Sequence, residues 1–170
     1  MRTDELLIEP FQRIRALVAR TAQDLDSEAL LWRPDPEANS IAWLLWHLTR
    51  IQDDHVAEIA GREQVWVVSG WAERFGMPAG AMDTGYGHSA AQVAAIAPDG
   101  PQPLLAYHEE VAEQTASYLA DVDDGDLERV IDRSFDPPVT VGVRLVSVLC
   151  DGLQHVGQAA YLRGLFERRG

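Results

Sequence analysis

The stretch Val141-Gly-Val-Arg-Leu-Val-Ser-Val-Leu-Cys-Asp-Gly-Leu-Gln-His-Val-Gly-Gln-Ala-Ala-Tyr-Leu-Arg-Gly164 lies in the longest helical pattern of the chain and decides how it folds. Thr140 is a suitable N-cap, so we predict a helix from Thr140 to Arg168. Within it, Asp151 and His155 are four residues apart. Because an α-helix turns by about 100° per residue, these two side chains are displaced by only roughly 40° and project from one face.

A second helix is predicted from Ser40, a good N-cap, to Ala60, with Gly61 as its stop. It carries His47 within Ile41-Ala-Trp-Leu-Leu-Trp-His-Leu-Thr-Arg50. One donor from this helix and two from the last would hold a divalent metal and leave coordination positions open. Catalytic zinc is bound in this way, by three protein ligands, whereas structural zinc is usually closed by four.

Other interpretations of these residues stay open at this point. An Asp-x-x-x-His pair also arises as a local helix contact, and a lone histidine on a bundle helix is commonly a satisfied core or boundary residue. His55 is a rival to His47 as the donor from the second helix, because it lies nearer the centre of the apolar stripe. That stripe consists of Leu44, Leu48, Ile51 and Ile59.

Two more long helices are predicted, from Thr3, as N-cap, to Leu25 and from Pro101 to Asp121, with Pro10 marking a late start or a kink. Residues 62–100 are irregular, with a short helix begun by Ser89 and a weak strand candidate at 63–69. A short helical turn is expected at 127–131 and an extended segment at 135–139. No strand pattern is convincing. We therefore predict an all-α fold: one domain, residues 1–170, forming a four-helix bundle with a long decorated connection between helices two and three.

Composition excludes several classes of partner. The 170 residues carry a formal net charge of −13, which argues against nucleic acid and against an anionic membrane surface, since both require a basic face. Cys150 is the sole cysteine, so no intrachain disulfide is possible, which fits a reducing compartment. The first residues lack the pattern of a signal peptide, and no apolar run approaches the roughly 18 residues of a spanning helix. A cytoplasmic location is expected by default.

Charged residues recur on the two helices that carry the candidate donors. Asp54 lies seven residues after His47, and Arg144 lies seven before Asp151, so each shares a stripe with a donor. Ionisable groups in apolar surroundings need partners. A metal is one such partner. For Arg50 and Arg144, however, we expect the simpler arrangement, in which they pair with Asp54 or Asp151. Candidates for the surroundings of the metal or the lining of its pocket are Arg50, Asp54, His55, His88, Arg144 and Gln158. His108, flanked by two glutamates, is expected to be solvated.

Several segments together resemble the DinB superfamily of metal-binding four-helix bundles over nearly the whole chain. They are Asn39-Ser-Ile-Ala-Trp-Leu-Leu-Trp-His-Leu-Thr-Arg50 followed by Asp53-Asp-His, then Asp83-Thr-Gly-Tyr-Gly-His88, Asp136-Pro-Pro-Val-Thr140 and the stretch from Asp151 to Gly164. The resemblance implies an up-down-down-up bundle, a divalent metal such as zinc or nickel, and often a homodimer, expected here through surplus apolar positions on helices one and three. Carried onto this chain, the metal ligands are His47, Asp151 and His155.

The carboxylate at Asp151, where many members of the family have histidine, resembles the thiol-dependent branch that includes the N-terminal domain of mycothiol-dependent maleylpyruvate isomerase. That branch implies S-transfer from a low-molecular-weight thiol, mycothiol or bacillithiol, to a small electrophile. The chain has no room for the isomerase's additional C-terminal domain, so the isomerase reaction itself is not expected. Two alternatives remain: a metal-binding, stress-related protein without turnover, and a metal-dependent hydrolase, which the same three ligands would permit.

Overall fold

A computed structural model describes residues 2–78 and 82–169 of the protein. Within them, four long helices form the frame, joined by short helices and one small sheet. The helices are α1 (Thr3–Ala22), α2 (Ser27–Leu31), α3 (Ile41–Ala60), α4 (Val65–Val68), α5 (Trp71–Arg74), α6 (Ala90–Ala95), α7 (Gln102–Leu119), α8 (Asp124–Leu127) and α9 (Val141–Glu167). The strands β1 (Val130–Asp132) and β2 (Val139–Thr140) pair antiparallel. The predicted all-α bundle is confirmed.

The long helices pack in a ring in which α1 and α3 each contact both α7 and α9. Pairs of neighbouring residues at different heights give the direction of each helix. These pairs are Arg15–Glu109 for α1 with α7 and Thr3–Asp124 just beyond the end of α7, His47–His155 and His55–Arg144 for α3 with α9, and Ile14–Gly152 and Arg20–Arg163 for α1 with α9. Thus α1 runs antiparallel to α7 and parallel to α9, while α3 runs antiparallel to α9. The order is up-down-down-up, as the resemblance implied.

The ends of α3 and α9 follow the predicted local chemistry. The Ser40 hydroxyl accepts a hydrogen bond from the Trp43 backbone N–H at 3.1 Å, and Gly61 adopts φ +65° as the C-cap of α3. Thr140 caps α9 in the same way. In contrast, α1 ends at Ala22, and Thr3 is its first helical residue rather than its N-cap. Pro10 lies inside α1 without ending it.

Two segments of the connections differ from the patterns noted in the sequence. Residues 65–68 of the weak strand candidate form α4, because the Asp53 carboxylate accepts hydrogen bonds from the N–H groups of Val65 and Trp66 and so caps a helix there. The predicted helical turn at 127–131 is also misplaced, because α8 ends at Leu127 and Ile131 lies in β1. That strand finds its partner in β2, directly before α9.

Large apolar side chains are exposed on α9 and not where the sequence suggested. Among the described residues of α1 and α7, Leu6 alone is a large exposed apolar side chain. On α9, by contrast, Val143, Val146, Leu153 and Tyr161 are between 48% and 66% exposed. No helix within residues 2–78 and 82–169 is long and apolar enough to cross a membrane.

Candidate metal centre

The structure brings His47 of α3 together with Asp151 and His155 of α9. The Asp151 Oδ1 atom lies 4.0 Å from His47 Nε2 and 3.4 Å from His155 Nε2. One potential ligand atom from each residue lies within 4.8 Å of the other two. Two donors on a tetrahedral zinc lie roughly 3.4 Å apart, given bonds of about 2.0–2.2 Å. This three-donor cluster (His47, Asp151 and His155) is therefore close to the spacing that such an ion needs.

Hydrogen bonds on the far side of each imidazole fix which nitrogen faces the cluster. The Thr84 carbonyl only accepts hydrogen bonds, so His47 carries its proton on Nδ1 and donates it there. His155 likewise donates from Nδ1 to Gln158 Oε1 at 2.9 Å. Both Nε2 atoms are thereby left with a lone pair, and both point toward Asp151. Ring orientation by a partner on the other nitrogen is the usual arrangement around histidines that bind metal.

One oxygen of the Asp151 side chain also lacks a partner, which a bound metal could be. Its Oδ2 atom is buried and has no hydrogen-bond partner in the protein. An unpaired buried carboxylate oxygen is unfavourable by an amount comparable to a lost hydrogen bond or more. Two nitrogen donors and one carboxylate form a donor set that suits zinc and similar divalent ions. The residues present therefore fit a divalent metal.

Burial and neighbouring charge shift the pKa values of His47 and His155 in opposite directions. Burial lowers the pKa of His47, whose side chain is only 7% exposed, so its imidazole is neutral and ready to donate. When His155 is protonated, its Nε2 donates a hydrogen bond to Asp151 instead of offering a lone pair, and this raises the pKa of His155, so that a metal bound at Nε2 would replace that proton. Trp43 stacks on the His47 ring, with centroids 4.6 Å apart and planes 11° apart, and meets His155 edge-on. It forms one wall of the centre.

The loop from Asp83 to His88, of which only His88 was a candidate for the site, positions His47. Gly85, at φ +90°, packs so closely that a Cβ atom there would lie 3.1 Å from His47 Nδ1 and 2.8 Å from a ring carbon of Trp46. The preceding carbonyl, that of Thr84, thereby reaches His47. The Asp83 carboxylate ties the loop together by accepting from the Gly85 N–H at 2.8 Å and pairing with His88 at 2.7 Å. The motif Asp83-Thr-Gly-Tyr-Gly-His88 was the signal that could have identified it.

His88 belongs to this loop rather than to an open pocket rim. Its Nδ1 accepts a hydrogen bond from Trp43 Nε1 at 3.1 Å, and its ring stacks on Trp46. The side chain of His88 is only 4% exposed. It therefore connects the Asp83 carboxylate to Trp43, which packs on His47. Tyr86, a candidate for the pocket wall, is instead 91% exposed.

Arg50 has a structural role next to the loop. It is fully buried, and it pairs with Asp53 rather than with Asp54 or Asp151 as expected. Its remaining donors bond Gln64 at 2.9 Å, Tyr107 at 3.0 Å and the Asp83 carbonyl at 3.0 Å. Every guanidinium nitrogen of Arg50 therefore has a partner, and its contact with the Asp83 carbonyl joins it to the loop that positions His47.

Asp54, His55 and Arg144 lie apart from the three-donor cluster. Asp54 accepts a hydrogen bond from Gln64 at 2.6 Å and lies 3.5 Å from His55. Burial, with the Arg144 charge as a second cause, lowers the pKa of His55. The expected ion pair of Arg144 with Asp54 or Asp151 does not form, since its Nη1 contacts the His55 ring at 3.4 Å and its Nε is buried without a partner.

These residues line a cleft of about 700 Å³ between α3, the segment that follows it and the first turn of α9. The cleft is lined by Asp54, His55, Ala57, Glu58, Arg62, Glu63, Gln64, Val67, Met82 and Arg144. None of the three donors lines it. Asp54 lies on the same stripe of α3 as His47, and Arg144 lies on the same stripe of α9 as Asp151. The cleft and the cluster therefore follow one another along the line of contact between α3 and α9, which we call the α3–α9 seam.

His108, expected to be solvated, is buried. Its Nδ1 donates to the Thr49 hydroxyl, at 3.0 Å, which in turn donates to the Leu45 carbonyl. Burial lowers the pKa of His108 to about 4, with the charge of Arg15 as a smaller cause. The two neighbouring glutamates point elsewhere: Glu109 pairs with Arg15, and Glu110 accepts from the Trp71 indole at 2.8 Å. Helical phase, and not flanking charge, decides where this imidazole points.

Comparison with known proteins agrees with this architecture. The model of the DinB superfamily matches residues 11–159. The chain is also similar to a crystal structure of a conserved protein from Enterococcus faecalis, with a TM-score of 0.87, 30% sequence identity and 96% of each chain covered. No curated protein matches significantly. The chain therefore belongs to the DinB superfamily, whose members in general bind metal.

Proposed function

We propose that this chain is a cytoplasmic protein that binds one divalent metal, zinc or nickel, through His47, Asp151 and His155 and uses it to transfer a low-molecular-weight thiol, mycothiol or bacillithiol, to a small electrophile. The observation that supports it most is the orientation of the two imidazoles, whose lone pairs converge on Asp151 because Thr84 and Gln158 occupy the other ring nitrogens. Three ligands from rigid helices leave coordination positions open, as catalytic sites do.

The metal and the residues around it have different roles in the proposed reaction. When bound, zinc would favour the thiolate form of an incoming thiol and act as a Lewis acid, with a site charge of +1 after one carboxylate. His47 and His155 donate as neutral imidazoles and take no proton. Trp43 excludes water from one side of His47 through its stacked ring. Cys150 takes no part, since it is exposed and lies about 100° around α9 from Asp151.

The test begins with metal content. Protein purified without chelators should contain one zinc or nickel per chain, measured by elemental analysis. Consumption of a small electrophile such as 1-chloro-2,4-dinitrobenzene should then require both the metal and an added thiol. Equal turnover without thiol would favour hydrolysis over transfer. If the fully metallated protein shows no turnover with any of the thiols, it is instead a metal-binding protein without this activity.

We also propose that two copies associate through α9. Its exposed face carries Val143, Val146, Cys150, Leu153 and Tyr161. These residues follow one another at intervals of three, four and eight residues, so they share one stripe of the helix. The charged residues between Val143 and Tyr161 are Arg144 and Asp151, both of which face α3. An uncharged apolar stripe on a chain of net charge −13 suits a second copy, in a twofold arrangement.

A further inference from the structure

Arg144 makes no direct contact with a carboxylate among the described residues, although its charge, after hydrogen bonds from Ser134, helps to lower the pKa of Asp132. The chain has 27 acidic residues and 14 basic ones, so carboxylates are plentiful. Within residues 2–78 and 82–169, however, Arg144 forms no ion pair, and its nearest polar contacts are the two ring nitrogens of His55 at 3.4 Å. Its Nε is buried with no hydrogen-bond partner. A buried guanidinium donor in this condition is destabilising unless something else accepts its hydrogen bond.

The cleft around Arg144 does not attract anions in general. It contains three carboxylates, Asp54, Glu58 and Glu63, against two arginines. The second arginine, Arg62, donates to the Gln114 carbonyl and is therefore occupied. An anion at the mouth of the cleft would meet repulsion on balance. A group that reaches Arg144 would find a buried donor without a partner, and a planar carboxylate matches the fork of a guanidinium.

The position of Arg144 relative to the three-donor cluster gives the length of the ligand. Arg144 precedes Asp151 by seven residues on α9, and Asp54 follows His47 by seven on α3. Since the two helices are antiparallel, both offsets run in the same direction along the α3–α9 seam. Seven helical residues span about 10.5 Å. A molecule that contacts both ends of the seam must therefore extend about 10 Å, allowing for movement of the arginine side chain.

We propose that Arg144 binds a carboxylate of the thiol cosubstrate, so that the thiol lies at the three-donor cluster and the carboxylate in the cleft. This inference rests on the proposed function and narrows it to thiols that carry a carboxylate about 10 Å from the sulfur. The cleft thereby selects against neutral thiols of the same length. Of mycothiol and bacillithiol, this subsite would therefore favour the thiol that carries carboxylate groups.

Two matched series of probes test this on zinc-loaded protein by isothermal titration calorimetry. One is a set of unbranched ω-mercaptocarboxylates of increasing length, and the other is the set of ω-mercaptoalcohols of the same lengths. The acid should bind at least about tenfold more tightly than the alcohol once the chain reaches about 10 Å, and no better at shorter lengths, because a charged hydrogen bond to Arg144 is then made. Equal affinity of acid and alcohol at every length would overturn the proposal.

Two arginine variants distinguish carboxylate binding by Arg144 from a general effect of positive charge in the cleft. Arg144→Gln should abolish the preference for the acid while leaving the affinity for the alcohol and the zinc content unchanged. Arg62→Gln removes the same charge from the same cleft and should keep the preference. Equal loss in both variants would mean that cleft charge, not Arg144, is responsible, and the proposal would be wrong.

A third measurement distinguishes failure of this inference from failure of the proposed function. If no thiol binds zinc-loaded protein, S-transfer at this site is refuted. Unbranched alkanoates without a thiol are then titrated into metal-free protein. Binding that Arg144→Gln removes and Arg62→Gln keeps would retain the carboxylate subsite on its own, and absence of such binding would refute it as well.

Discussion

Replacing Gly85 by alanine should weaken metal binding although Gly85 is not a ligand. The new Cβ would lie 2.8 Å from Trp46, 3.1 Å from Trp43 and 3.1 Å from His47 Nδ1, and the φ of +90° disfavours any side chain. Crowding of a packed interior costs about 1–3 kcal/mol, and the backbone conformation roughly 1–2 kcal/mol more. The Thr84 carbonyl is then displaced from His47. Loss of such a partner weakens metal affinity by about 10- to 100-fold.

Gly87→Ala is the matched control for this prediction. Gly87 lies in the same loop at φ +76°, but a Cβ there has nothing within 4 Å. It therefore carries the backbone cost of about 1–2 kcal/mol without the crowding. Zinc affinity, measured by competition with a chromophoric chelator, should be unchanged in Gly87→Ala. Thermal unfolding of the metal-free variants should show Gly85→Ala as the less stable of the two.

Two results would refute the reasoning. If Gly85→Ala is folded by circular dichroism and binds zinc as the unaltered protein does, the Thr84 carbonyl does not set the position of His47. If Gly87→Ala loses as much affinity as Gly85→Ala, the effect comes from loop strain and not from contact with the histidine.

Four further predictions can be checked with simple variants. By elemental analysis, His155→Ala should lose most of the metal and His55→Ala should retain it, and the opposite ranking would assign the site to His55. Asp151→His should retain metal but change the transfer rate, since the site charge rises by one. Leu153→Asp should convert a dimer into a monomer by light scattering, and a monomer before substitution would contradict the α9 interface. The contribution of His108 to stability in urea should fall by up to about 3 kcal/mol from pH 6.5 to pH 4, because the unfolded chain gains a proton at His108 there and the folded chain does not, so His108→Gln should make the pH dependence shallower by that amount.

The parts of the fold that follow local rules were predictable from the sequence. Ser40 and Gly61 delimit α3 because a hydroxyl satisfies an N–H group at one end and a glycine adopts the left-handed conformation at the other. The same holds for Thr140 and α9. Four-residue spacing likewise placed Asp151 beside His155. Each of these inferences depends on residues within one or two helical turns of each other.

The parts that were missed depend on contacts between distant segments. Residues 65–68 are apolar and β-branched enough to suggest a strand, but the Asp53 carboxylate caps them as a helix from α3. The choice between His47 and His55 likewise depends on how α3 lies along α9, because both histidines face α9 but only His47 is level with Asp151 and His155. The group that orients His47 is a backbone carbonyl, that of Thr84, and a carbonyl has no side-chain signature. Only the glycine beside it, which allows the close approach, leaves a trace in the sequence.

Two of the polar clusters among the described residues differ in a way that indicates which one serves binding. Arg50, Asp53 and Tyr107 satisfy one another and hold α4 and the loop against α3, so this cluster needs nothing from outside the protein. Along the α3–α9 seam, by contrast, Asp151 Oδ2 and Arg144 Nε are buried without partners. Apolar residues at those two positions would be expected to stabilise the bundle, because unpaired buried polar groups lower stability. Their presence is therefore best explained by ligands that satisfy them, a metal at one end of the seam and a carboxylate at the other.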